Sequence, residues 1–378
     1  PPPYTCRRQR QMCIRDRVQL DLDEIRGILD SRLAPTDLLL VLAIVLDPRL
    51  LLVGRRPVDL LPVATIGVMA YGVALALIQQ GDITNHAFQV KFFGAISLAL
   101  LGLVAATVCR RGHARPVLRA LVAGTVFWTI VSYVDWKVFD ILPFLEAKTI
   151  TRFGGMQHDP NNAGSLFAMV LCVMVFAGGY VFESRWAILA TFVTAGGGLT
   201  LTYSRGGYLA LGVGVVAGLL VSHKSAERMV RLGALALAAT AIVVVTGVAQ
   251  DAIDDFSSRP DNVGGRNELA SAGIDAFTES GGVGVGLGAF RAEEGDIIHN
   301  TALWLLVELS AVGVALFLAW CILPAAALLR SPPTPRALLP ALFAAHLAMV
   351  AASVTIEASY QRHWWVVMGV IAGTTALA

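Results

Sequence analysis

Three short stretches of this 378-residue chain carry side chains able to grip a phosphate or move a proton. The first is TYSRGG at 202–207, where Arg205 falls in a very short connection between two apolar runs. A guanidinium at such an edge offers a planar fork of donors that matches a pair of phosphate oxygens. The plainer alternative is an arginine snorkelling to lipid headgroups. The second is HN at 299–300, after the acidic EEGDII and before an apolar run containing Trp304. His299 there can stay neutral near pH 7 and take a proton from a hydroxyl, with Asn300 or a carboxylate orienting the ring. The competing reading is that His299 and Asn300 merely cap the following helix. The third is GGMQHDPNN at 154–162. His158 beside Asp159 is too small a set for a metal, Pro160 marks a helix start, and Asn161 and Asn162 suit sugar hydroxyls.

Between the last two stretches, Arg259, Arg266 and Arg291 stand among ten acids in the segment 250–299. Exposed ion pairs account for some of them at little energetic gain, but together with Arg205 they suit a cationic cup for a diphosphate. Arg266 ranks first among the three, then Arg291, with Arg259 last. Other chemistries are excluded by spacing. GGVGVGLG at 281–288 lacks both the GxGxxG fingerprint and a GK[ST] ending, so it is no nucleotide loop. TYSRGG is not a GxSxG elbow, which leaves Ser204 without a nucleophile's setting. The five cysteines show neither CxxC nor Cys/His spacing, so neither a disulfide framework nor a metal site is expected. Two ionisable residues fall inside apolar runs. His346 sits among alanines, as suits a hydrogen bond across a small-residue helix interface. Glu308 lies on the helix face opposite His299 and is no obvious partner for it.

The elements that must position these groups are helices in a bilayer. The chain is 56% hydrophobic and 15% charged, against roughly 25% charged in an ordinary soluble domain, and its mean hydropathy is +0.67. A net charge of only +2 also argues against a nucleic-acid partner. Apolar runs long enough to span the hydrocarbon layer fall near 37–54, 58–78, 88–109, 117–134, 161–181, 185–203, 206–222, 229–249, 300–329, 337–356 and 363–378. Asp47, Pro48 and Arg49 interrupt the first. The expected fold is an all-α polytopic integral membrane protein of about 10–12 transmembrane helices with one long periplasmic loop. Residues 1–17, with Arg7, Arg8, Arg10, Arg15 and Arg17, read as a non-native or disordered tail joined to a protein that starts near Val18. Residues 18–249 then form N-terminal transmembrane helices, 250–299 the long loop, and 300–378 the C-terminal helices. Within the loop, RNELASAGIDAF predicts a short helix along the membrane surface, followed by a tight glycine turn.

Orientation follows from the short connections. Arg55, Arg56, Arg110, Arg111, Arg115, Arg119, Arg185, Lys224, Arg228, Arg231, Arg330 and Arg336 fall on one side, against Asp59, Glu183 and Glu227, and that side is predicted to be cytoplasmic. The acidic long loop, TYSRGG and HN then share the outward side.

The motifs PNNAG, LTYSRGGYLAL, a loop with Arg266 followed by GVGLGAF, and HNTALWLLVELSAVG, in that order, resemble the O-antigen ligase and polymerase superfamily of bacterial envelope proteins. The resemblance covers roughly residues 150–320. It implies an inner-membrane glycosyltransferase that moves a glycan from undecaprenyl diphosphate to an acceptor on the periplasmic side: lipid A core, another glycan, or a protein hydroxyl. Arg205 and Arg266 would hold the diphosphate and His299 would activate the acceptor hydroxyl, without metal, nucleotide sugar or other cofactor. Attack opposite the diphosphate would invert the anomeric centre. Arg291, Asn300, Asn161, Asn162 and His158 are the expected substrate-binding residues. The chain departs from the family pattern at Ala270 where Trp is frequent, at Gly281 where Pro is common, and at Ser310 where Gly follows the glutamate. The rival expectation is a transporter or flippase of lipid-linked glycans, which would bind the same carrier without chemistry and would carry its polar groups near the midplane.

Overall fold

The computed structural model describes residues 35–81, 91–139, 152–154, 157, 159–222, 261–294 and 296–375. The expected tail at 1–17 and the expected span at 229–249 lie outside these residues. Residues up to Leu50 form a unit of their own, in which α1 (Pro35–Leu46) ends where the sequence interrupts the first apolar run. Asp47 takes the Arg49 N–H at 3.2 Å, and Pro48 opens a 3-10 turn. A proline has no N–H to continue the helical ladder.

The second unit is built from α2 (Pro57–Gln80), α3 (Phe93–Arg110), α4 (Ala114–Val134), α5 (Pro160–Val181), α6 (Arg185–Thr202), α7 (Arg205–Leu220), α8 (Asp261–Glu279), α9 (Ala289–Glu294), α10 (Thr301–Arg330), α11 (Leu338–Ala352) and α12 (Arg362–Thr374). Among the described residues, five helices are long and apolar enough to cross a membrane, namely α2, α3, α4, α5 and α10, while α7 and α11 are shorter apolar helices. Large apolar side chains such as Phe127, Trp186, Val193, Val216 and Leu220 are exposed. That is the exterior of a protein solvated by lipid tails rather than water. The chain is an all-α polytopic membrane protein.

Helix α5 is the hub, buried along nearly its whole length and packed by α6, α7 and α11. The tightest crossings use glycines four residues apart. A Cβ on Gly214 of α7 would lie 2.7 Å from the Ala344 carbonyl oxygen of α11, and one on Gly218 would lie 2.9 Å from Ala344 Cβ. Gly369 and Gly373 of α12 approach Gly102 and Ala106 of α3 in the same way. In lipid, close backbone approach supplies the dispersion that a hydrophobic driving force cannot.

The long loop does not stay at the surface. After α8, whose Gly273 packs on Ile298 and Val307, the chain makes the glycine turn with positive φ at Gly281, Gly282, Gly284, Gly286 and Gly288. The turn inserts between α2 and α10. Leu287 N–H donates to the Gly72 carbonyl at 2.9 Å, Val285 N–H to Val307 at 3.0 Å and Gly286 N–H to Glu308 at 3.0 Å. Side chains are excluded at the point of nearest approach, where a Cβ on Gly286 would sit 2.3 Å from Ala76 Cα. Helix α10 opens to receive the turn: Ser310, at φ 58° and ψ −152°, interrupts it. Non-helical backbone at this depth is tolerated because the turn and the broken helix satisfy each other's polar groups. The expected short helix and tight glycine turn are both present, the helix docked on α10 and the turn wedged into the bundle. Ile274 of α8 is exposed.

Candidate functional site

The connections place the starts of α3, α5, α7, α10 and α12 at one end of the bundle. At the opposite end lie the arginines around Asp59 and Arg115. The starts of α5, α7 and α10 are each organised by a side-chain cap. Asp159 takes the Asn161 N–H at 2.6 Å and the Asn162 N–H at 3.4 Å. Ser204 takes the Gly207 N–H at 3.1 Å, and Asn300 takes the Leu303 N–H at 3.0 Å. Caps leave the positive end of each helix macrodipole at this face, a setting that favours anions.

The α6–α7 turn, which delivers Arg205, is clamped to the start of α5. Tyr203 adopts the left-handed conformation at φ 47°. Arg152 Nε donates to the Thr202 carbonyl at 2.8 Å, and its guanidinium also reaches Asn161 Oδ1 at 3.2 Å. Ser204 Oγ donates to the same oxygen at 3.1 Å. Arg205 follows as the first residue of α7, with its side chain exposed. Gly206 then lies so near the α11–α12 connection that a Cβ there would be 2.3 Å from Thr355 Oγ1.

That connection, residues 353–361, also seats the start of α10. Thr301 N–H donates to the Ser353 carbonyl at 2.9 Å, Thr301 Oγ1 donates to Ile356 at 2.8 Å, and Asn300 Nδ2 donates to Val354 at 3.3 Å. One connector therefore touches the turn that carries Arg205 and the helix start that follows His299. His299 itself is half-buried. Burial lowers its pKa below the ordinary 6.5, and the positive charge of Arg266 lowers it further, against the opposing pull of Asp159, Asp296 and Glu357. A neutral imidazole near pH 7 is the form that can accept a proton.

The expected site residues thus fall into distinct settings. His299 and half-buried Arg266 of α8 are electrostatically coupled, and Asn161 ties the α5 start to the Arg205 turn. Asn300 spends its side chain on capping α10 and holding the connector, the plainer of the two expectations for it. Asn162 is half-buried beside Asp159. Arg291 is exposed on α9 and is not among the principal charges acting on His299. His158 and Arg259 lie outside the described residues. Among the described residues, no group of three or more His, Cys, Asp or Glu is arranged to hold a metal ion. The two intramembrane candidates are structural. Glu308 accepts the Gly288 N–H at 2.8 Å, which pins the inserted turn. His346 Nδ1 accepts from Trp364 Nε1 at 3.2 Å while Nε2–H donates to the Cys321 carbonyl at 3.0 Å.

Three residues that sequence reasoning passed over belong to the same end: Arg152, Lys91 and Glu357. Lys91 was legible as an isolated cation in the apolar run 88–109, and Glu357 as an acid in the short connection before α12. Neither carries a motif.

Fold and site together define a polytopic helical membrane protein with a histidine and arginines gathered where several helix starts meet one connector. Residues 190–318 match the family model described as O-Antigen ligase, which bears out the resemblance to the O-antigen ligase and polymerase superfamily. The match runs from α6 into α10 and includes Arg205, Arg266, Arg291 and His299. It supports O-antigen ligase-type glycosyl transfer as the general activity. No curated protein and no solved structure matches the chain.

Proposed function

We propose that the chain transfers a glycan from undecaprenyl diphosphate to an acceptor hydroxyl, with inversion, at the His299 end of the bundle and on the periplasmic face of the bacterial inner membrane. The observation that carries this reading is the half-buried His299, held neutral by burial and by Arg266, beside the connector that also seats the Arg205 turn. His299 takes the proton of the acceptor hydroxyl. The freed oxygen attacks the anomeric carbon from the face opposite the diphosphate. The bond from that carbon to the diphosphate oxygen breaks, its electron pair leaves on that oxygen, and the cations of Arg205 and Arg266 meet the growing charge. The helix starts of α5, α7 and α10 add their dipoles in the same sense. The basic connections at the opposite end support the outward assignment of the His299 end.

Transport of the same carrier is the competing reading, since α10 is broken and a polar Glu308 lies in the bundle. The break is filled by the protein's own glycine turn, and Glu308 is bonded to it, which favours chemistry at the end over passage through the middle. The test is a defined reaction in lipid nanodiscs with undecaprenyl diphosphate glycan and, in separate arms, lipid A core, excess lipid-linked glycan or a protein acceptor. Product in one arm supports transfer and names the acceptor. Carrier binding with product in none overturns transfer in favour of transport.

A further inference from the structure

Lys91 is a nearly fully buried cation with no place in the transfer just described. Its side chain is 4% exposed and forms an ion pair with Glu357. The ammonium also lies 4.4 Å from the Trp304 ring centroid and 4.7 Å from that of Tyr360. Those rings meet edge to face at 5.8 Å, and Tyr360 Oη returns a hydrogen bond to the Lys91 carbonyl at 3.0 Å. Lys91 thus joins the approach to α3, the first turn of α10 and the 353–361 connector at one point. Glu357 lies between Ile356 and Ala358, whose carbonyl and N–H both bond Thr301 Oγ1, two residues beyond His299.

A buried ion pair is weak grounds for stability, because apolar residues of similar volume often serve as well or better. This pair has a second property. Glu357 is one of the charges that act on His299, so whatever neutralises Glu357 also controls the field at that ring. We propose that Lys91 and Glu357 are positioning residues for His299: the pair seats the connector against the start of α10 and offsets part of the Glu357 charge that acts on the imidazole. The proposal rests on the reading of His299 as the base, but its electrostatic half is testable without turnover. The other charges facing His299 are Arg266 from α8, Asp159 from the start of α5 and Asp296 from its own loop. Arg205 begins the helix packed on the same connector.

Opposite signs distinguish this role from a purely structural one. In Lys91→Met, Glu357 is left uncancelled and favours the imidazolium, so the titration of His299 moves upward. In Glu357→Gln, Lys91 is left uncancelled and the titration moves downward. The double variant removes both charges and returns toward wild type. The full-length protein in nanodiscs is treated with diethylpyrocarbonate across pH, and modification of His299 is followed by mass spectrometry. The pH dependence of glycan transfer is measured in parallel, with thermal melting as the check on folding.

Opposed shifts in the two single variants, with reversion in the double, establish the role. Folded variants whose titration stays put, or moves in one direction for both, overturn it, whatever happens to the rate. If Lys91→Met does not fold, the downward shift of Glu357→Gln and its reversal in the double variant decide. If the titrations shift as expected while transfer is indifferent to His299→Ala, the pair keeps its role and the base reading falls.

Discussion

The two ends of the bundle use charge in opposite ways. At the end with Asp59, a group of charges joins helices. Asp59 receives Arg56 at 3.0 Å and Arg110 at 2.7 Å. Arg56 also donates to Thr375 and to the Ala372 carbonyl, and Arg110 to the Leu52 carbonyl. Nearby, Arg115 pairs with Glu183 at 2.9 Å and Arg119 donates to the Val181 carbonyl at 3.0 Å. At the other end, Lys91 and Glu357 are consumed likewise, but Arg205 is exposed, Arg266 is half-buried, and His299 is held neutral between charges of both signs. Charge that closes a structure is paired and satisfied. At the His299 end, Arg266 is instead set against a titratable ring whose proton affinity it lowers.

This contrast predicts that substitutions at the two ends separate activity from stability. Arg205→Ala and Arg266→Ala are expected to lower the transfer rate by about 100-fold each, the usual cost of removing one preorganised group that stabilises developing charge, with melting temperatures near wild type. Arg266→Gln carries a further signature. Because Arg266 depresses the His299 pKa, its loss moves the acid limb of the pH–rate profile upward. In the wild type the acid limb is expected to have its midpoint below the ordinary histidine value of 6.5. The stability that neutral His299 contributes is full above 6.5 and is lost as pH falls through its folded pKa.

At the opposite end, Asp59→Ala is expected to cost about 2 kcal/mol in thermal or denaturant unfolding, since it strands two arginines that bond it. Activity per folded molecule is unchanged. The smallest effect belongs to neither end. Ser310 holds a backbone conformation suited to glycine, and such strain costs of order 1–3 kcal/mol. Ser310→Gly is expected to raise stability by about 1 kcal/mol and to leave transfer intact, as read by melting and by the rate.

Ser310 also marks how far the sequence carries. Its place in the motif was visible as a departure from glycine, but the reason, a helix opened by an inserted turn, needs the partner carbonyls of Val307 and Glu308 in three dimensions. Helix extents were legible because length, apolarity and breakers such as Pro57, Pro160 and the Asp47–Pro48 pair act locally. Arg205 and His299 stood out in the sequence because a polar group at the rim of an apolar run is costly, and Arg266 stood out through the family resemblance. The glycine turn was legible as a turn, but its insertion between α2 and α10 was not, because that is set by the gap between Gly72 and Glu308 and not by its own residues. Lys91 and Glu357 escaped notice because they are 266 positions apart, and Arg152 because it ties together the Thr202 carbonyl, 50 positions away, and Asn161.

The most direct measurement compares His299→Ala with Asp59→Ala in one nanodisc transfer assay, with carrier binding and melting followed for both. Transfer in His299→Ala is expected to fall at least 100-fold, with carrier binding and melting retained, while Asp59→Ala melts earlier and transfers normally once folded. Normal transfer by folded His299→Ala would contradict the assignment of the reaction to that end of the bundle.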